Sequence, residues 1–191
     1  PQGITLHGDT SLERNLSLRN SLHTQWVKGT IHTRYDIASY YVRTWGGIHR
    51  INEDNLRAYT DRLSNGEFPP NKNIASWTKI ASVADPEQYA IFDSRVSAAL
   101  TCLQILHGLH ECNFPLLPSR NVTVQSFHRY IGNKSAQPVN CPCCIDCDFY
   151  RKYLCIIKEA TGLANTSIQH IEMFLFSIAI TKITEVIDNH H

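Results

Sequence analysis

The sequence predicts an all-α fold, a single compact helical domain over residues 1–191, and three observations support this prediction. Few segments alternate with period two, and no Asn-Gly or Asp-Gly pair separates two β-rich runs. Apolar residues recur instead at helical spacing, between capping residues and glycine or proline breakers. Hydrophobic residues form 42% and charged residues 18% of the chain, which is typical of a globular protein with a real core.

The first predicted helices follow residues 1–30, which we treat as an N-terminal extension. Residues 34–47 carry apolar and aromatic side chains at helical spacing and end in two glycines, a common helix stop. The next helix begins after Asn52 as its N-cap, has acidic residues in its first turn, and ends near Gly66.

Two more helices are predicted after a proline-rich loop. Residues 74–84 form the first, which ends at Asp85-Pro86 because the residue before a proline disfavours helix. Asp93 can cap the second, which we expect to extend to about Glu111 with apolar side chains along one side.

The last third of the chain predicts three helices and one irregular segment. Residues 122–132 favour a short helix, although their first residues, Val-Thr-Val, leave a strand open. Residues 135–150 form an irregular cysteine-rich loop, and residues 148–162 form a helix. Residues 167–188 are apolar almost all round in the middle, which predicts the central and most buried helix.

Charge and cysteine content narrow the partners and the compartment. The formal net charge of +1 predicts no strong bulk attraction to nucleic acid or to an anionic membrane. No apolar run reaches membrane-spanning length, and the first residues lack the basic-then-apolar order of a signal peptide. Seven cysteines, an odd number, cannot all pair within one chain. We therefore expect a cytoplasmic protein in a reducing compartment, with no membrane partner.

The candidate catalytic residues are Lys79 and Asp93, which lie 14 residues apart on either side of the Asp-Pro turn. A lysine attacks carbon only as the neutral amine, which apolar neighbours favour, and Trp77 and Ile80 could supply such neighbours. A carboxylate at a helix N-terminus stays ionised and could accept the amine proton or stabilise a sugar cation. The alternative is a solvated lysine and an ordinary helix cap.

The order helix, Lys79, turn and "IFDSRV" resembles the helix-hairpin-helix DNA glycosylases, the superfamily of 8-oxoguanine glycosylase and endonuclease III. The stretches "ASYYVRTWGGIHRIN", "PEQYAIFDSRVSAAL" and "FPLLPSRN" look closer still to the small OGG-fold proteins of bacterial antiphage defence operons, over about residues 35–130. The resemblance implies that Lys79 is the nucleophile and that Asp93 is the assisting acid. One feature departs from the superfamily: the segment before Lys79, "PPNKNIASW", lacks the glycine-rich turn that grips DNA phosphate.

The resemblance implies a base N-glycosylase, with or without lyase activity, that acts on DNA or a nucleotide and needs no cofactor for catalysis. Trp45 and Trp77 are the candidate side chains for stacking on a flipped base, and Arg95 and Arg120 are the candidates for holding phosphate. The alternative is a catalytically inactive member of the fold, which binds a nucleic acid, a nucleotide or a protein partner in a defence complex.

Four cysteines crowd into the segment "CPCCIDC". Cys141, Cys144 and Cys147 stand at C-x-x-C-x-x-C, a spacing suited to zinc, and Cys155 or His128 could be the fourth ligand. Reduced thiols or a disulfide between near neighbours are the alternatives. A structural subunit whose cysteine loop carries zinc is therefore a third hypothesis for the protein.

Overall fold

The computed structural model describes residues 4–68, 73–109, 114–134 and 149–189. Within these ranges every regular element is helical and no residue lies in a strand, so the predicted all-α fold class is confirmed. The described elements are α1 (Ser11–Lys28), α2 (Ile31–Ser39), a π-helical segment (Tyr40–Trp45), α3 (Glu53–Ser64), α4 (Ile74–Ala84), α5 (Ser94–Leu106), α6 (Val122–Lys134), α7 (Phe149–Ala164) and α8 (Ile168–Asp188).

The predicted helix caps are confirmed where the sequence placed them at Asn52 and Asp93. The side chain of Asn52 accepts a hydrogen bond from the backbone N–H of Asp54 at 2.6 Å. Asp93 accepts two such bonds at the start of α5. The predicted end of α5 near Glu111 is wrong, because the helix ends at Leu106 and the chain turns through Gly108 at a φ of +64°.

The helix that was predicted over residues 34–47 changes its hydrogen-bonding pattern before it ends. After α2, the Tyr40–Trp45 segment winds more widely, and the N–H of Gly46 donates to the carbonyl oxygen of Tyr41 at 2.9 Å, five residues back. Gly47 then takes a φ of +64°, which ends the helix in the way that the paired glycines predicted.

By packing, the chain divides into two compact units, Pro1–Ile91 with Ser167–Gln169, and Phe92–Thr166 with His170–His191. In the first unit, α4 packs against α1, α3 and the π-helical segment, and α2 packs against α1 and α3. The predicted N-terminal extension, residues 1–30, contains α1. The expectation of one domain over residues 1–191 stays a prediction.

The core of the second unit joins α5, α6 and the C-terminal half of α8. Its fully buried members include Ala98 and Cys102 from α5, Phe127 from α6, and Ile183 and Val186 from α8. A second cluster, of aromatic rings, joins Phe92, Phe114, Phe149 and Tyr153, with neighbouring centroids 5.1–6.5 Å apart.

The prediction that residues 167–188 form the most buried helix is wrong. Along α8, Leu175, Ala179 and Ile183 are buried, but Phe174 is 57% exposed, so this helix is buried on one side only. Among the described helices α4 is the most buried, with nine of its eleven residues in the interior. No described helix is both long enough and apolar enough to cross a bilayer.

Candidate active site around Lys79

Lys79 lies midway along α4, a helix of the first unit. Only 4% of its surface is exposed, and its neighbours Trp77 and Ile80 have no exposed surface. The amine Nζ donates to the carbonyl oxygen of Ala75, one turn earlier, at 3.2 Å. The alternative of a solvated lysine is therefore excluded, because so little of this residue is exposed. Long charged side chains are rarely this buried.

The end of the π-helical segment lies against the Lys79 side chain. A Cβ atom placed on Gly46 would stand 2.8 Å from both Cδ and Cε of Lys79. Carbon atoms in contact are normally about 3.5–4.0 Å apart. The lysine stem therefore runs over a stretch of backbone that carries no side chain.

Trp45, directly before Gly46, is held on two sides. Its ring stacks on Tyr41 with centroids 4.3 Å apart and planes 7° from parallel. Its indole Nε1 donates to Oδ1 of Asn15 on α1 at 2.8 Å. Part of its surface is exposed. The structure thus brings a fixed, partly exposed aromatic ring next to the residue that touches Lys79.

Arg19 is a second buried cation in the first unit, and the sequence analysis did not single it out. It is 1% exposed, and its Nε donates to the hydroxyl oxygen of Tyr41 at 3.2 Å. A signal was available, because Arg19 falls on the same helical stripe as the buried residues Leu22 and Trp26. The ring on which Trp45 stacks is therefore itself held by a buried guanidinium.

Trp77, the other candidate for stacking on a base, is a core residue. It has no exposed surface, and its ring meets that of Phe68 edge to face, with centroids 5.3 Å apart. A base could reach it only if the first unit opened. Of the two tryptophans, only Trp45 offers surface in this structure.

Asp93 belongs to the second unit, where it caps α5. Its Oδ1 accepts hydrogen bonds from the N–H groups of Arg95 at 3.0 Å and Val96 at 3.1 Å, and its side chain is half-buried. Lys79 belongs to the first unit. The pairing of the two residues stays a prediction.

The two predicted phosphate-binding arginines have different surroundings within the second unit. The guanidinium carbon of Arg95 lies 4.6 Å from the ring centroid of Phe176, a cation–π contact that holds this half-buried side chain. Arg120 is exposed, in the loop before α6. The structure does not bring the two guanidinium groups together in any contact that it describes.

An open cavity of about 430 Å³ lies where that loop meets α6. Its lining includes one cation, Arg129, together with His128, and burial lowers the pKa of the His128 imidazole. That side chain is therefore neutral at pH 7, so the cavity carries little positive charge.

The predicted zinc ligands Cys141, Cys144 and Cys147 lie outside the described residues, as does Cys143. Of the suggested fourth ligands, Cys155 is exposed with a free thiol, and His128 lies on α6. Across the part of the chain that is described, no three His, Cys, Asp or Glu side chains are grouped to hold a metal. A zinc site in the cysteine-rich loop stays a prediction.

Comparison with known proteins identifies no relative of this chain: no family model, no curated protein and no solved structure matches it.

Proposed function

We propose that the protein is a base N-glycosylase with lyase activity, which acts on DNA or a nucleotide through Lys79. The observation that carries the proposal is the burial of Lys79, whose aliphatic stem lies against the backbone of Gly46, the residue that follows the partly exposed Trp45. The reaction requires this lysine as the neutral amine, which is the form that attacks carbon. Trp45 is partly exposed, and an aromatic side chain with exposed surface is the kind of group on which a base stacks.

In the proposed reaction, the lone pair of the Lys79 amine forms a bond to C1′ of the sugar. The C1′–N glycosidic bond breaks, and the base leaves with the electron pair of that bond and takes up a proton. Asp93 accepts a proton from the attacking amine and passes it to O4′ as the C1′–O4′ bond breaks, so the sugar ring opens to give a Schiff base. Loss of a proton from C2′ then expels the 3′ phosphate, and water releases the free lysine.

Borohydride trapping on DNA with an abasic site tests the proposal directly, because borohydride reduces the Schiff base to a stable amine. We expect a covalent adduct from the wild type and none from Lys79→Gln, which replaces the amine with a polar group that is not nucleophilic. The matched control is Lys28→Ala, an exposed lysine of the same unit, which should trap as the wild type does. Failure of the wild type to form an adduct would end the proposal.

Asp93→Asn separates the two roles of Asp93. Asparagine caps a helix about as well as aspartate, so the melting temperature should stay close to that of the wild type. Loss of the charge should lower the single-turnover trapping rate by roughly 10²–10⁴-fold, the range typical of a general base. An unchanged rate would remove Asp93 from the site and leave Lys79 in it.

The second candidate is a catalytically silent protein that binds nucleic acid or nucleotide, in a defence complex with a protein partner. Two observations favour it: the glycine-free segment before α4, and the bond from the Lys79 amine to the carbonyl of Ala75, which a purely structural lysine would also make. Salt-dependent DNA binding that survives Lys79→Gln combined with Asp93→Asn, without trapping, would support this candidate. A cytoplasmic location belongs to both proposals.

A further inference from the structure

The backbone conformation at residue 46 does not itself require glycine. Gly46 has a φ of −79° and a ψ of −10°, a right-handed conformation that other residues also adopt. The next residue differs, because Gly47 has a φ of +64°, where side chains are strained. The reason for a glycine at position 46 therefore lies in its surroundings.

The surroundings of Gly46 leave no room for a side chain. A Cβ atom would stand 2.8 Å from Cδ and Cε of Lys79, and 2.8 Å from the carbonyl oxygen of Val42. That carbonyl is held in place, since it accepts a hydrogen bond from the N–H of Ile48 at 3.0 Å. The lysine stem is the more mobile of the two obstacles, so an added methyl group would displace it.

We propose that Gly46 is a positioning residue that sets the depth and direction of the Lys79 amine. The inference rests on the proposed role of Lys79 as the nucleophile. Gly46 is itself held by the π-helical hydrogen bond from its N–H to Tyr41, and its neighbour Trp45 is held by Asn15. Single π-helical turns within helices occur frequently at functional sites, where the extra residue changes the direction of the chain.

A double-mutant cycle tests the packing without any need for activity. Gly46→Ala should lower the melting temperature by roughly 3–8 °C, as expected for an overpacked site in a chain of this size. In a Lys79→Ala background, which removes the lysine stem, the same change should lower it by about half as much or less. Equal losses in both backgrounds would overturn the inference.

Gly132→Ala is the matched control for the cycle. Gly132 lies in α6, and a Cβ atom there would meet nothing within 4 Å. Because alanine favours helix over glycine, this variant should melt at the wild-type temperature or slightly above it.

The effect on the amine needs its own measurements. In Gly46→Ala, the single-turnover trapping rate at saturating DNA should fall about 10–100-fold, because a displacement of about 1 Å can cost that much. The affinity for DNA should change by less than about twofold, since position 46 is proposed to act on the amine and not on binding. Gly132→Ala should change neither value.

Acylation of Lys79 by acetic anhydride, followed by peptide mass spectrometry, reads the same displacement without DNA. We expect the rate in Gly46→Ala to differ from that of the wild type by at least about threefold, because a new position changes the shelter of the amine. Suppose that the acylation rate differs and the double-mutant cycle shows unequal losses while the wild type forms no adduct with abasic-site DNA. In that case the proposed function fails and the positioning role stands. If the wild type traps and Gly46→Ala, correctly folded, traps equally fast, the positioning role fails.

Discussion

Helices α4 and α8 both read as apolar segments, yet their burial differs. In α4, nine of eleven residues are interior, and these include Lys79. In α8, one stripe is buried, and Phe174 on another side is 57% exposed. An apolar sequence therefore predicts a helix with a buried side. How many of its sides are covered depends on the number of neighbouring elements.

The contrast is widest for single truncations in the two helices. Ile80→Ala in α4 should lower the free energy of unfolding by about 2–5 kcal/mol, because it leaves a cavity at a fully buried site. Phe174→Ala in α8 should change it by no more than about 0.5 kcal/mol, as for other exposed positions. Urea unfolding measures both values. A loss above about 2 kcal/mol for Phe174→Ala would contradict the exposure of this ring.

Thiol labelling measures the accessibility of Cys102, which lies in the core that includes Ile183 and Val186 of α8. Burial raises the pKa of Cys102 to about 12 from an ordinary 9.0, so on the order of 10³-fold less of this thiol is ionised at neutral pH. Iodoacetamide should therefore modify the exposed Cys155 quickly and Cys102 very slowly.

The same labelling separates the two sides of α8. Ile183→Ala, on the buried side, should speed the modification of Cys102, because it weakens the core that both residues share. Phe174→Ala, on the exposed side, should leave the rate as it is. Mass spectrometry of the alkylated peptides gives both rates, and equal acceleration by the two variants would contradict the one-sided burial of α8.

The smallest expected effect is a pH dependence that comes from α6, which packs in the same core as α8. Burial lowers the pKa of His128 below its ordinary 6.5, so the unfolded chain binds a proton more readily than the folded one. Its contribution to stability is therefore full above pH 6.5 and is lost as the pH falls through the folded pKa. In His128→Gln, the free energy of unfolding should depend less on pH in this range.

The measurement is the urea midpoint at several values between pH 7.5 and pH 5, with the wild type and the variant compared at each value. Other groups titrate in both proteins, and they cancel in the difference. A difference that is constant over the range would show that His128 has the same pKa in both states.

Local signals predicted most of the fold. The caps at Asn52 and Asp93, the paired glycines after Trp45 and the stop at Asp85-Pro86 all act within one helical turn, so they can be read directly from neighbouring residues. Helix α1 was not predicted, although Thr10 and Glu13 form a capping box that the sequence displays. Its buried residues are Leu18, Leu22 and Trp26 together with the charged Arg19.

Several helix ends could be read from the sequence alone, because each cap or breaker completes or blocks hydrogen bonds of its own turn. The sequence also offered Lys79 as a candidate catalytic residue within an apolar helix. Only the tertiary structure decided that Lys79 is buried, that Gly46 lies against it, and that Trp45 rather than Trp77 keeps exposed surface. Burial depends on residues that are distant in the chain, and Gly46 and Lys79, 33 positions apart, come together only when α4 and the π-helical segment pack.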